Sequence, residues 1–332
     1  MRRIGLAVVL ALSLLSPLAA QAQQAGRMYR IGLLAGRPSP HLMVPFVAAM
    51  REYGWVEGRD FIVESRYTGV DLGHAEALAR ELIELKVDLI LTGTTATARA
   101  ARQASRTVPI VMLASGFPVE AGLAVSLARP GGNVTGLSAY AGGELFSKYV
   151  QLLKDVVPTG KAFAVLWNYV PPGFAKEEVE ASLGEMKRAA RTIGVTTRVF
   201  QLQSLADLDR ALGVLAREKV EALFVTAGGP LMTEQTSAKI MAFTLKQRIA
   251  TLTDFRGTFV DAGCLMTYAA IPAEMAKRAA AFVDRILRGT RPGDLPIEQP
   301  TKFELVINLK TAKALGLTIP QTLLLRADQV IQ

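Results

Sequence analysis

Cysteine is nearly absent: Cys264 is the single one in 332 residues. No intramolecular disulfide is available, so a chain that is half apolar must be held by the size of its cores. Histidine is equally scarce. His41 and His74 are the only two, with no second ligand at zinc spacing. No G-x-S-x-G elbow occurs, no G-x-G-x-x-G follows the first predicted strand, and Gly93-Thr94-Thr95 lacks the lysine of a phosphate loop. These absences argue against zinc, serine-hydrolase and nucleotide chemistry. No catalytic residue, metal or cofactor is expected. His74 near Asp71 reads as a solvated loop pair, and Cys264, set among apolar residues, as a small buried hydrophobe.

Long hydrophobic runs are also missing, with one exception. Ile4 to Leu15 is apolar but short for a membrane span. Arg2 and Arg3 precede it, Pro17 breaks it, and Ala20-Gln21-Ala22 is a small-x-small cleavage site. Residues 1–22 therefore read as a secretory signal peptide cut after Ala22, with a membrane anchor as the alternative. Cys264 lies far from this segment, which leaves no N-terminal cysteine for a lipid anchor. An exported protein without disulfides suits a bacterial periplasm, with no membrane insertion after processing. The formal charge is +9, and loss of Arg2 and Arg3 lowers it by two. The basic residues are dispersed, without an aromatic-interleaved stripe, so nucleic acid is not an expected partner. Arg99, Arg102 and Arg106 recur at helical spacing, as a solvated face or a docking surface.

What is present is alternation. Strands are predicted at Tyr29–Leu34, Asp60–Tyr67, Val87–Leu91 and Val108–Leu113, with helices at Leu42–Tyr53, Ala75–Lys86 and Ala96–Ser105 between them. Pro130-Gly131-Gly132-Asn133 then makes a turn, and Val134 to Leu137 extends from it. The pattern restarts at Glu144. Helices are predicted at Glu144–Val156, Phe174–Ile193, from Ser204 to Arg217, and at Thr233–Lys246. Strands are predicted at Ala162–Trp167, Val195–Gln201, Ala222–Thr226 and Ile249–Leu252. Such alternation means parallel sheets with helices on both faces. The expected fold is α/β, with two Rossmann-like, doubly wound lobes in tandem. The tail holds a strand at Cys264–Tyr268, a helix from Pro272 to a stop at Gly289, a strand at Phe303–Ile307 and two short helices. In the helix Met275, Ala279, Phe282, Val283 and Ile286 face inward. One helix and one strand are too little for a third domain. The chain is expected to return to the first lobe and come back, giving three crossings. Residues 28–140 with 270–297 then form the N-terminal lobe, and 141–269 with 298–332 the C-terminal lobe.

Several stretches resemble the periplasmic substrate-binding components of ABC transporters, in the bacterial family related to tryptophan- and tyrosine-binding proteins. They are Tyr29-Arg30-Ile31-Gly32-Leu33-Leu34, Gly54-Trp55-Val56-Glu57-Gly58, Leu127 to Gly136, Val165-Leu166-Trp167-Asn168, and Gln299 to Ala312. The last is long and specific, and together they span nearly all of the chain beyond the signal peptide. The resemblance implies the type I periplasmic-binding fold, a small-molecule ligand in the interlobe cleft, and an ABC permease and its ATPase as partners. It implies a monomer and no enzyme. A ligand sensor without transport and a free amino-acid binder stay open as alternatives. A ligand-responsive transcription regulator shares the architecture, but needs a DNA-binding helix pair where the signal peptide stands. One departure matters. Where the family commonly has Gly-Asp-Pro-Val after the fourth strand, this chain has Gly116-Phe117-Pro118-Val119.

Ligands of open parallel sheets bind beyond the carboxyl ends of the strands, where helix starts favour anions. Candidate ligand-binding residues at those ends are Ser39, Thr94, Thr95, Ser115, Phe117, Tyr140, Asn168, Gly228, Asp254 and Tyr268. Thr94 and Thr95 hold a ligand carboxylate, cap their helix, or do both. Asn168 and Asp254 read the ligand or cap turns. Aromatic residues are 7% of the chain, yet Phe117, Tyr140, Trp167, Tyr169, Phe174, Phe255 and Tyr268 fall at or near these ends. That concentration points to a ligand with an apolar or aromatic part, although each ring alone can be core, Trp167 above all. With Phe117 in place of an acidic residue, a carboxylate-bearing ligand is expected in preference to a zwitterion.

Overall fold

The structure is a computed structural model that describes residues 27–69, 71–139, 143–167, 176–202, 204–226 and 233–332. The first lobe begins with β1 (Tyr29–Ala35), α1 (Pro40–Glu52), β2 (Phe61–Tyr67), α2 (Ala75–Glu84), β3 (Leu89–Thr92), α3 (Thr95–Ala104), β4 (Ile110–Ser115) and β5 (Val134–Ser138). These strands form a five-stranded sheet in the order β2-β1-β3-β4-β5, parallel throughout. Continuous apolar runs such as Leu89-Ile90-Leu91 suit strands covered on both faces.

Next come α4 (Gly143–Val156), β6 (Ala162–Trp167), α5 (Lys176–Thr192), β7 (Thr196–Gln201), α6 (Leu205–Leu215), β8 (Ala222–Val225), α7 (Glu234–Gln247), β9 (Ala250–Thr253), α8 (Gly257–Asp261) and β10 (Met266–Ala270). The chain continues through α9 (Pro272–Leu287), β11 (Phe303–Asn308), α10 (Leu309–Leu315), α11 (Gln321–Leu324) and β12 (Gln329–Ile331). The second sheet has seven strands in the order β12-β11-β10-β9-β8-β6-β7.

β11 pairs antiparallel with β10, a direction that the predicted alternation did not assign. The reason is the excursion of α9. The chain leaves the second sheet at the end of β10, packs α9 on the first sheet, and re-enters at the same end, so β11 runs back along β10. The three-residue β12 and the short α8 were not anticipated; neither is long enough to show a period.

The buried face of α9 includes Met275, Ala276, Ala279, Ala280, Phe282, Val283 and Ile286. It meets Ile31, Leu33, Phe46, Ala49 and Met50 of the first lobe. The fully buried Ala276, Ala279 and Ala280 let its backbone come close to α1. The chain therefore passes between the sheets three times: after β5, after β10 and before β11. This is the type I periplasmic-binding architecture.

The segment before the third passage is tied to the strand that begins the first. Thr135 Oγ1 donates to Leu295 O at 2.7 Å, Glu298 N to Gly136 O at 3.0 Å, and Ser138 N to Glu298 O at 2.8 Å. Gly136 sits at φ +118°, and a Cβ there would meet Met112 O at 2.4 Å. The Pro130–Asn133 turn is pinned as well. Gly131 N donates to Gly293 O, and Asn133 Nδ2 donates to Ser105 O and Val108 O. Asn133-Val134-Thr135 matches a glycosylation sequon, but the Asn133 amide is buried and engaged by these two carbonyls.

Candidate functional site

In the first lobe the strand ends converge on the start of α3. Thr94 is its N-cap. Thr94 Oγ1 accepts from Thr97 N at 3.3 Å, and Thr94 N donates to Thr97 Oγ1 at 3.0 Å, a reciprocal capping box. Thr95, only 8% exposed, staples α3 to the end of β4. Its hydroxyl accepts from Gly116 N at 2.8 Å and donates to Gly116 O at 3.1 Å. Both threonines thus cap or brace, and the hydroxyl of Thr95 is fully engaged. The groups left for an anion are the amides of Thr95 and Ala96, which helix geometry gives no intrahelical acceptor. They stand at the positive end of the helix dipole.

Ser115 and Thr92 end β4 and β3. Both are completely buried, and among the described residues neither hydroxyl has a hydrogen-bond partner. A buried unpaired hydroxyl costs about 1–3 kcal/mol. Phe117 follows at φ +46°. Its ring packs against the core of the second lobe. Ser39 is the N-cap of α1 without a side-chain cap bond, since Pro40 occupies the first helical position.

In the second lobe Asp254 is half-buried in the turn after β9. The next residue, Phe255, lies edge-on to His41 of the first lobe, with ring centroids 6.4 Å apart and planes at 66°. His41 was read from the sequence only as a histidine without a metal partner. Its place two residues after Ser39, in the first turn of α1, was the available signal. Burial, then the charge of Arg37, lowers its pKa below the ordinary imidazole value, which favours the neutral ring. Among the described residues no group of three or more His, Cys, Asp or Glu side chains could hold a metal.

Tyr268 sits within β10. Its ring stacks on Phe303 at 5.3 Å and meets Tyr149 edge-on at 6.1 Å, with Lys148 Nζ 5.9 Å from its centroid. Burial raises its pKa; Arg326 opposes that and Asp328 adds to it. Trp167 is 6% exposed and lies in the same core as Phe146 and Tyr149. Tyr140, Asn168 and Gly228 lie outside the described residues, as do Tyr169 and Phe174.

Two cavities among the described residues lie away from this convergence. One, about 10 Å³, is enclosed by Tyr149, Phe163 and Phe224 and is too small for an organic ligand. The other is a groove of about 400 Å³ beside Thr196, Arg198, Glu218 and Lys219. It lies at the amino ends of β6 and β7, opposite the end where sheets of this kind bind. Cys264 is buried, and its thiol is pushed up to about 11, mainly by desolvation. It is inert at neutral pH.

The profile of the family described as ABC transporter substrate binding protein matches residues 43–331. The chain belongs to that family. Among relatives, the tyrosine-binding protein of Clostridioides difficile (strain R20291) is 26% identical over 275 residues, covering 82% of this chain and 75% of its own length. Among solved structures, the ABC domain in complex with L-Trp from Streptococcus pneumonia superposes with a TM-score of 0.81 at 23% identity. It covers 92% of this chain and all of its own. A conserved domain protein from Vibrio cholerae O1 biovar El Tor gives 0.82 at 24% identity with the same coverage. These likenesses show the fold of this substrate-binding protein, and no helix among its described residues is long and apolar enough to cross a membrane.

Proposed function

We propose that this chain is the solute-capturing component of an ABC importer. In this reading it works in the periplasm after loss of residues 1–22, as a monomer. The lobes are residues 28–140 with 270–297 and residues 141–269 with 298–332. They close over a small organic ligand, and the closed form is what the permease, and through it the ATPase, reads. The supporting observation is the convergence at the strand ends. The first-turn amides of α3 lie beside Gly116 and Phe117, and Phe255 faces His41 from the other lobe. The amides suit a carboxylate, and the rings suit an apolar or aromatic body. No acidic side chain stands at position 117 to neutralise an ammonium.

A second reading, a free aromatic amino acid, is favoured by the relatives named for tyrosine and solved with L-Trp. Asp254 then answers the ammonium. Calorimetry on the mature chain with aromatic amino acids and their deaminated analogues separates the two. Tight binding of the deaminated acids, weakened in Phe117→Asp by a few kcal/mol, about the cost of losing a ring contact and burying a charge, supports the first. Tight binding of amino acids alone, lost in Asp254→Asn, overturns it in favour of the second. Scattering that shows no compaction with any bound ligand would count against closure altogether.

A further inference from the structure

Phe117 combines two features that an ordinary loop residue lacks. Its φ of +46° is left-handed, which costs a side chain with a β-carbon roughly 1 kcal/mol. Lys86 and Arg248 share a positive φ, but each follows the end of a helix, where that conformation is a common stop. Phe117 follows a strand. Its second feature is its neighbour: it comes from the first lobe, yet its ring lies against the core of the second, the cluster that holds Phe146, Tyr149 and Trp167.

The backbone around it is built to hold that pose. The hydroxyl of Thr95 grips both Gly116 N and Gly116 O, one residue before the ring. One residue after it, Pro118 is buried, and Phe117 O accepts from Ala121 N at 2.9 Å. β4 itself shifts register between Met112 and Ser115, so the strand is re-aimed before it ends. A strained, braced residue whose ring rests on the opposite lobe marks a contact between two moving parts.

We propose that Phe117 is an interlobe latch, a first-lobe ring that docks on the aromatic core of the second lobe and holds the lobes together before any ligand arrives. This rests on the hinged two-lobe reading above. Part of the closing free energy is then carried by the chain itself. The unliganded protein is populated toward the closed form, and a ligand has less of the equilibrium left to shift. Truncating the ring shifts the conformational balance against every ligand, in addition to any ring contact that a particular ligand loses.

The test is made on the unliganded mature chain in a Trp55→Phe background, which leaves Trp167 as the only tryptophan. That change removes the Trp55 Nε1 bond to Asp284 Oδ1, an oxygen to which Arg288 Nε also donates at 2.6 Å. Phe117→Ala and Phe117→Gly should each enlarge the radius of gyration in small-angle scattering. Each should also raise acrylamide quenching of Trp167 about twofold as its cluster loses its cover. Phe117→Leu, which keeps apolar bulk, should stay near the parent. Equal effects of Ala and Gly assign the change to the ring, since Gly alone also relieves the strained φ. Unchanged scattering and quenching in all three overturns the latch. So does loss of the far-UV circular dichroism signal in all three, which would make Phe117 a folding residue of its own lobe. No ligand enters these measurements, so a wrong ligand assignment leaves them intact.

Discussion

The two lobes use one device at corresponding places and surround it differently. α3 and α7 both open on Thr-x-x-Thr: Thr94 accepts from Thr97 N, and Thr233 accepts from Thr236 N. In the first lobe the following threonine, Thr95, is spent on bracing Gly116. The cores differ more. The first lobe closes its sheet face with alanine-rich α9, borrowed from late in the chain, and the second fills its face with stacked rings, Tyr149 on Phe224 at 4.6 Å. A doubly wound half can thus be completed by close helix approach or by aromatic bulk. The half completed by a borrowed helix depends on the crossings for its stability.

The strongest way to break this comparison is paired truncation of the cores. Phe46→Ala in the first lobe and Tyr149→Ala in the second should each cost about 3–5 kcal/mol in urea unfolding. Trp55 reports on the first lobe and Trp167 on the second. If Phe46→Ala left the Trp167 transition in place while shifting that of Trp55, the lobes would be separate cooperative units. A shared shift is expected from the helix they exchange. Gly136→Ala should come next, at about 2–4 kcal/mol, because the new methyl collides with the backbone of Met112 at a φ that disfavours it. A crystal structure of that variant with the β4–β5 register intact would refute the explanation.

A smaller effect belongs to the second lobe alone. The Cys264 thiol is held neutral, its pKa raised from 9.0 to about 11 by burial. The unfolded chain ionises first as pH rises. The stability tied to this thiol is therefore present below pH 9 and lost between pH 9 and 11, at most about 2–3 kcal/mol. The measurement is the difference between wild type and Cys264→Ala across that window; parallel curves would contradict it. The caps give the finest distinction. Thr94→Ala and Thr233→Ala should each lose about 0.5–2 kcal/mol of stability. Only Thr94→Ala should also weaken ligand binding by calorimetry, because the α3 cap stands beside Gly116. Equal binding losses would erase the difference between the two helix starts.

Much of this architecture was legible in order along the chain. Continuous runs such as Ala162–Trp167 became strands with the expected bounds, and inward positions of α9 from Met275 to Ile286 are buried. β11 is legible as a strand, but its direction has no local signal, because direction depends on where the chain re-enters and not on side-chain period. At the candidate site, Thr94 and Thr95 could be placed at a helix start from Gly93-Thr94-Thr95. Nothing local showed that the Thr95 hydroxyl would be consumed by Gly116, twenty-one positions away. Tyr268 was read as a strand-end residue, whereas its ring stacks on Phe303 across an antiparallel pair that no period predicts.

The sequence by itself determined the longer elements and the doubly wound class. Those follow from periodicity, caps and turn residues, all of which act within a few positions along the chain. Tertiary structure alone decided which rings meet between the lobes, Phe117 on the second core and His41 against Phe255. It also decided which hydroxyls find partners and which way β11 runs. Those outcomes depend on groups distant in sequence competing for the same space, and close packing settles that competition only once both sheets are in place.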